Sequence, residues 1–127
     1  MYQPEQYVKL TNPDGINMGF QYKIGLNEDR YELNRNQECA AGGLYFCQFK
    51  DANFWAYGYD GKVLIWKVDL PEGEEVIKLE KKLKAKRIIL SDPKIMDKYG
   101  NISNINSLKY DGIVQYAKFQ FKKWFGM

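Results

Sequence analysis

The sequence predicts an α+β fold: a mainly antiparallel, twisted sheet of short strands, with small helices and a C-terminal covering helix. Three observations lead there. Short apolar runs recur along the chain, each closed by a turn signal. The gaps between them lack the helical pattern of about a dozen residues that a parallel crossover requires. Near the C-terminus, Ile113, Ala117, Phe121 and Trp124 recur at helical spacing and share one side. The 127 residues suit a single domain, 1–127.

Tyr7-Val8-Lys9-Leu10 reads as the first strand. Thr11-Asn12-Pro13-Asp14-Gly15 then turns the chain, with Pro pre-set for the first central position and Gly able to take positive φ. Met18 to Ile24 is the next strand, with Phe20 and Tyr22 on one face and Gln21 and Lys23 on the other. Asn27 to Ala41 is polar and loop-rich. Gly43-Leu44-Tyr45-Phe46-Cys47 is a compact apolar run that fits a strand buried on both faces.

Lys50 to Tyr57 suits a short helix anchored by Phe54 and Trp55, with Asp51 placed to cap it or to favour its positive end. Tyr59-Asp60-Gly61-Lys62 is a hairpin-type turn. Lys62 to Leu70 is the clearest strand, ended by Pro71-Glu72-Gly73. Val76 to Leu90 admits two periods. Val76, Leu79, Leu83 and Leu90 fit a helical stripe, whereas Leu83, Ala85 and Ile88-Ile89-Leu90 fit extended chain. The alternating charges and the β-branched pair favour two short strands. Pro93 to Lys98 fits a helical turn. From Asp111 onward the helical stripe outweighs the alternation of Lys118-Phe119-Gln120-Phe121-Lys122.

Composition then limits the chemistry. The histidine count is zero, which excludes His-based triads, His acid–base work and most zinc sites. Cys39 and Cys47 have no further Cys to complete a metal site, and reduced thiols inside a cell are the expectation. No basic start followed by an apolar run marks a leader, and no run is long enough to span a membrane. Glu28-Asp29 and Glu74-Glu75 sit in polar, turn-like surroundings that suit solvated carboxylates. Gly42-Gly43 lacks the remainder of a phosphate loop. No cofactor is expected.

Aromatic residues make up 16% of the chain, enough to supply a recognition surface besides a core. The candidate partner-binding residues are Trp55, Tyr59, Phe119, Trp124 and Phe125, with Trp66 a further ring for the same patch. A second surface is basic: Lys82, Lys84, Lys86 and Arg87, with Lys122 and Lys123 among C-terminal aromatics. Such lysines can track phosphates while rings stack on bases, the signature of weak nucleic-acid binding. Neighbouring Glu72, Glu74, Glu75 and Glu80 blunt that field, and the net charge is only +3.

Two resemblances extend this reading. Gly19-Phe20-Gln21-Tyr22-Lys23-Ile24-Gly25-Leu26-Asn27-Glu28-Asp29, then Cys39-Ala40-Ala41-Gly42-Gly43-Leu44-Tyr45-Phe46, Tyr57-Gly58, Val68-Asp69-Leu70-Pro71 and Lys84-Ala85-Lys86-Arg87-Ile88-Ile89-Leu90 occur in order. Together they resemble the N-terminal module found ahead of ankyrin repeats in mimivirus-type giant-virus proteins, over roughly residues 6 to 91. No ankyrin-like pattern follows. The resemblance implies a stand-alone viral module in the host cytoplasm or virion, non-catalytic, with a host or viral protein as partner. A fainter one concerns ADP-ribosyltransferases, whose Gly-x-Tyr-Phe strand, helix and apolar strand are similar to Gly43-Leu44-Tyr45-Phe46, the Phe54–Tyr57 region and Val63 to Leu70. It implies a degenerate NAD-type cleft in which Tyr45 stacks on nicotinamide. The family's upstream His is missing and no matching Glu can be assigned.

Overall fold

The computed structural model describes residues 2–36, 41–59 and 61–105. Its strands are β1 (Tyr7–Thr11), β2 (Ile16–Asn17), β3 (Phe20–Gln21), β4 (Gly25–Glu28), β5 (Leu44–Gln48), β6 (Val63–Asp69), β7 (Val76–Leu79), β8 (Lys82–Ala85), β9 (Arg87–Met96) and β10 (Ile102–Ser103). A 3-10 turn, Phe49–Asp51, leads into helix α1, Ala52–Ala56. Every strand pairing is antiparallel. The predicted covering helix from Asp111 lies outside the described residues.

The main sheet has eight strands in the order β10-β9-β6-β1-β5-β8-β7, with β4 also pairing β9. Its centre is β6, whose Val63, Leu64, Ile65 and Trp66 are fully buried. The two faces carry separate clusters. Trp66, Leu64, Phe46, Ile88, Leu90 and Ile95 pack on one side, and Val8, Leu10, Cys47, Val63, Ile65 and Met96 pack against Ala52 and Ala56 of α1 on the other. Burial on both faces explains the unbroken apolar run of β6. Trp66 Nε1 donates to Thr11 Oγ1 at 2.9 Å, so its one polar atom is satisfied inside the core.

Several elements differ from the sequence expectation, each for a local reason. The predicted strand from Met18 to Ile24 is instead a small hairpin, β2–β3, followed by a tight turn into β4. Met18 and Gly19 are the two loop residues between Asn17 and Phe20, and both have positive φ, as a two-residue hairpin of the primed type demands. β4 therefore begins inside a segment that composition marks as loop. Buried Asn27 stabilises the preceding turn by accepting from the Lys23 amide and donating to the Lys23 and Gly25 carbonyls. Asp51 makes no capping bond. It closes the 3-10 turn with helical backbone angles, whereas a capping residue is typically extended.

Pro93 is not in a helical turn but inside the ten-residue β9. The β6–β9 register steps from Ile65↔Lys94 to Lys67↔Ser91, so Asp92 and Pro93 together oppose Trp66. This is a β-bulge, and Asp92 has the positive φ, 51°, that helps to bend the strand. A bulge needs no ladder donor at its extra residue, which is why it accommodates proline.

Candidate functional site

The site follows from one irregularity of the sheet. β1 pairs with β6 through four consecutive residues, Val8 to Thr11. On its other edge it pairs with β5 only at Tyr7↔Gln48 and Val8↔Cys47. Beyond that point β5 continues with β8, through Leu44, Tyr45 and Phe46, while Lys9 and Leu10 stay with β6. The two strands diverge, and a cleft of about 200 Å³ opens between them.

Its lining comes from five parts of the chain. β1 supplies Lys9 and Leu10, the β2–β3 hairpin Asn17 and Met18, β5 Tyr45, Phe46 and Cys47, α1 and the following turn Trp55 and Tyr59, and β8 Lys82. The Tyr59 hydroxyl donates to the Leu10 carbonyl at 3.2 Å and accepts from Asn17 Nδ2 at 2.7 Å. Asn17 Oδ1 in turn accepts from Lys9 Nζ at 2.9 Å. These side chains thus engage polar groups beside the split, as buried polar atoms require. Trp55 is fixed by its Nε1 donating to the Lys81 carbonyl at 2.6 Å. Lys82 Nζ stands 4.6 Å from the Tyr45 ring centre and 5.2 Å from that of Trp55, within cation–π range.

The electrostatics of the cleft are one-sided. Burial pushes the Lys9 amine down to about 7, with the neighbouring Lys82 charge acting in the same direction. Burial pushes the Cys47 thiol up to about 12 and the Tyr59 phenol up to about 12. Both therefore remain neutral at physiological pH. The cleft can hold an apolar or aromatic body between rings and present a basic group to it.

The candidate residues divide among several environments. Tyr45, Trp55 and Tyr59 are brought together in this cleft. Trp66 is not on a surface at all; it is fully buried in the centre of the sheet. Phe119, Trp124, Phe125, Lys122 and Lys123 lie outside the described residues. The basic run is split as well. Lys84 is fully buried, contrary to its assignment to the basic surface, because β8 is covered where Lys84 points towards the Asn36 carbonyl, 3.4 Å from its Nζ. Lys86 Nζ donates to the Tyr31 carbonyl at 2.8 Å and lies 3.7 Å from Glu32. Arg87 is paired with Glu74 at 2.9 Å and flanked by Glu28 at 3.7 Å.

Tyr45 also borders a second, larger depression of about 400 Å³ with Glu28, Asp29, Arg30, Gly42 and Gly43. There the buried Asp29 accepts the Gly43 amide at 2.8 Å. Gly43 sits at φ +128°, and a Cβ on it would meet Lys84 Cδ at 3.0 Å and Leu33 Cδ1 at 3.1 Å. The Gly pair thus serves close packing of the 29–34 segment against β5 and β8.

The sequence does not single out Lys9 or Met18, and Phe54, expected with Trp55 to anchor the helix, leaves its ring half exposed. Lys9 reads in the sequence as an ordinary strand residue, yet it is 4% exposed and faces the cleft. A lysine in strand alternation usually marks the solvent side, and no local pattern announces a second layer above it. Met18 is 80% exposed at the cleft, and Phe54 and Tyr57 are 52% and 82% exposed. The aromatic sequence Phe54-Trp55-Ala56-Tyr57 was the available signal, but a helix this short has too few turns to show which ring faces out.

Comparison with known proteins finds similarity to a viral protein. The chain is 37% identical over 87 residues to an uncharacterised protein of Acanthamoeba polyphaga mimivirus, covering 66% of this chain and 63% of that protein. It is mimivirus-like in sequence, and it spans somewhat less than two thirds of the viral relative's length. No protein-family model matches, and no solved structure matches. Among the described residues no helix is long and apolar enough to cross a membrane, and no group of three or more His, Cys, Asp or Glu side chains gathers as for a metal.

Proposed function

We propose that the chain is a non-catalytic interaction module of a mimivirus-type virus, folded as one domain, that binds a host or viral protein in the host cytoplasm or in the virion. It would be a counterpart of the segment that precedes ankyrin repeats in giant-virus proteins. The mimivirus relative supports the origin. The observation that carries the binding role is the α1 surface. Phe54 on the five-residue α1 and Tyr57 just after it leave large rings in solvent, and exposed aromatics close together favour a protein partner. The Phe54 ring stacks edge-on against Trp55 at 4.9 Å, and Lys81 Nζ lies 4.2 Å above it. A ring cluster rimmed by Lys81 and Lys82 suits a partner surface that is apolar at its centre and acidic at its edge.

The test is affinity capture from infected Acanthamoeba cells, comparing the wild-type chain with a Phe54→Ser, Tyr57→Ser double variant. A partner recovered with the first and lost with the second, at unchanged thermal stability, supports the assignment. Identical protein profiles for both would refute it.

A further inference from the structure

The cleft between β1 and β5 holds the buried amine of Lys9, and among the described residues lining the cleft none offers it a carboxylate. Lys9 Nζ contacts Asn17 Oδ1 at 2.9 Å and lies 4.7 Å from the Tyr22 ring centre. The titratable groups around it come from several elements. Cys47 on β5 is a neutral thiol and Tyr59 after α1 a neutral phenol. Tyr22, which follows β3, is held neutral by burial and by the nearby Asp29. Asp29 itself is engaged by the Gly43 amide. Lys82 on β8 adds a second positive group. No described residue lining the cleft carries a carboxylate. An ammonium withdrawn from water without a counter-charge is costly, so a bound anion would find it already desolvated and held in place.

The remaining walls select what accompanies that anion. Tyr45, Phe46, Trp55 and Tyr59 are aromatic, and Leu10 and Met18 complete an apolar lining. An apolar cavity of about 150 Å³ accepts benzene, so about 200 Å³ leaves room for one ring and a short acidic arm. We propose that this cleft binds a small aromatic carboxylic acid, with its ring among Tyr45, Trp55 and Tyr59 and its carboxylate on the Lys9 ammonium. The cleft shares Trp55 and Lys82 with the ring cluster around α1 but does not include Phe54 or Tyr57, so loss of acid binding in Lys9→Met and loss of a protein partner in the Phe54→Ser, Tyr57→Ser variant are distinguishable outcomes.

Binding is then linked to a proton. A carboxylate stabilises the charged form of Lys9, whose amine is about half neutral near pH 7 in the empty cleft. Above that pH, complex formation must take up a proton. Affinity should be nearly constant between about pH 5 and 6, above the range in which the ligand's own carboxyl protonates, and weaken about five- to tenfold between pH 6.5 and 8.

Isothermal calorimetry of the full chain with phenylacetate and with indole-3-acetate provides the test. The expected result is saturable binding with dissociation constants of about 0.1–1 mM. At pH 7.5 the heat should depend on the buffer's ionisation enthalpy in the sense of proton uptake. Lys9→Met should weaken binding at least about tenfold and abolish the uptake, whereas Trp55→Leu should weaken it while leaving the uptake intact. Phenylacetamide and indole-3-acetamide, which keep the ring without the charge, should bind at least about tenfold more weakly. Absence of saturable binding by either acid, equal affinity for acid and amide, or uptake that persists in Lys9→Met would each overturn the assignment. The amide comparison uses only the wild-type chain and decides the matter even where a variant fails to fold.

Discussion

The two edges of β1 face opposite fates. Towards β6 the strand is sealed: four consecutive register pairs bring Val8 to Thr11 against Leu64 to Lys67, and Trp66 is buried there with its nitrogen on Thr11. Towards β5 it is open after two pairs, and side chains rather than backbone occupy the gap. One strand thus contributes to a dry core and to the wall of a cleft. The difference teaches that a sheet can make a site by withholding pairs. Where the ladder stops, Lys9, Asn17 and Tyr59 form a polar chain from side chain to backbone. Such a chain satisfies the atoms it touches but leaves a void that continuous pairing would have closed.

Mutations on the two edges should therefore differ in size and kind. The largest effect belongs to the sealed edge: Trp66→Ala should cost about 3–5 kcal/mol in denaturant unfolding, by removing a fully buried ring and leaving Thr11 without its donor. A smaller loss would mean that the core relaxes around the deletion and is less tightly joined than its burial suggests.

The next effect belongs to the open edge and depends on pH. In the folded chain the Lys9 amine is depressed to about 7 from an ordinary 10.5. Between those values the unfolded chain binds more protons, so stability rises with pH. The penalty for burying the charge is fully present below about pH 7. Unfolding free energy should climb by about 2 kcal/mol from pH 7 to 9 in the ligand-free protein. Cys47 acts in the opposite sense. Its thiol is raised from 9.0 to about 12, so its contribution is complete below pH 9 and is lost as pH rises towards 12. Lys9→Met should be more stable than wild type at pH 7 and should flatten the rise between pH 7 and 9. A parallel slope in wild type and variant would place the titration elsewhere.

Tyr59→Phe probes the polar chain itself. It leaves the Leu10 carbonyl without the hydroxyl donor and Asn17 Nδ2 without its acceptor, for an expected loss of about 1–2 kcal/mol in thermal or denaturant unfolding. The smallest change is a gain. Met18 is a non-glycine residue at φ 50° in the hairpin loop and is largely exposed. Met18→Asn suits that conformation and should add about 0.5 kcal/mol, read as a raised unfolding midpoint.

The same contrast explains what the sequence discloses. The sealed edge was legible because its signals are contiguous. Val63 to Val68 is an apolar run that suits no other element, and the Asn12-Pro13-Asp14-Gly15 turn separates β1 from the residues that follow. The antiparallel sheet follows from those gaps alone. The open edge was not legible, because it depends on how far one strand stays beside another. Nothing in Tyr7-Val8-Lys9-Leu10 says that pairing with β5 ends at Val8. Tyr45, Trp55 and Tyr59 stand out in the sequence as chemically suggestive rings, and the structure brings them to one cleft. Lys9, which gives the cleft its charge, carried no local mark. Lys84 was misplaced for a related reason. Alternation places it opposite Leu83, but both faces of β8 are covered, so the polar period does not identify a solvent side.

The bulge at Asp92–Pro93 has one more consequence. On its outer edge, β9 is covered by β4 at residues 87–90 and by β10 at residues 95–96. The stretch between them would otherwise be a rail of unpaired amides, a template for a foreign strand. Proline has no amide hydrogen to offer there, and the bend turns the flanking groups out of line. The interruption that complicates the ladder also denies a neighbouring molecule a template, which guards a tyrosine- and isoleucine-rich polypeptide against polymerising through its own sheet.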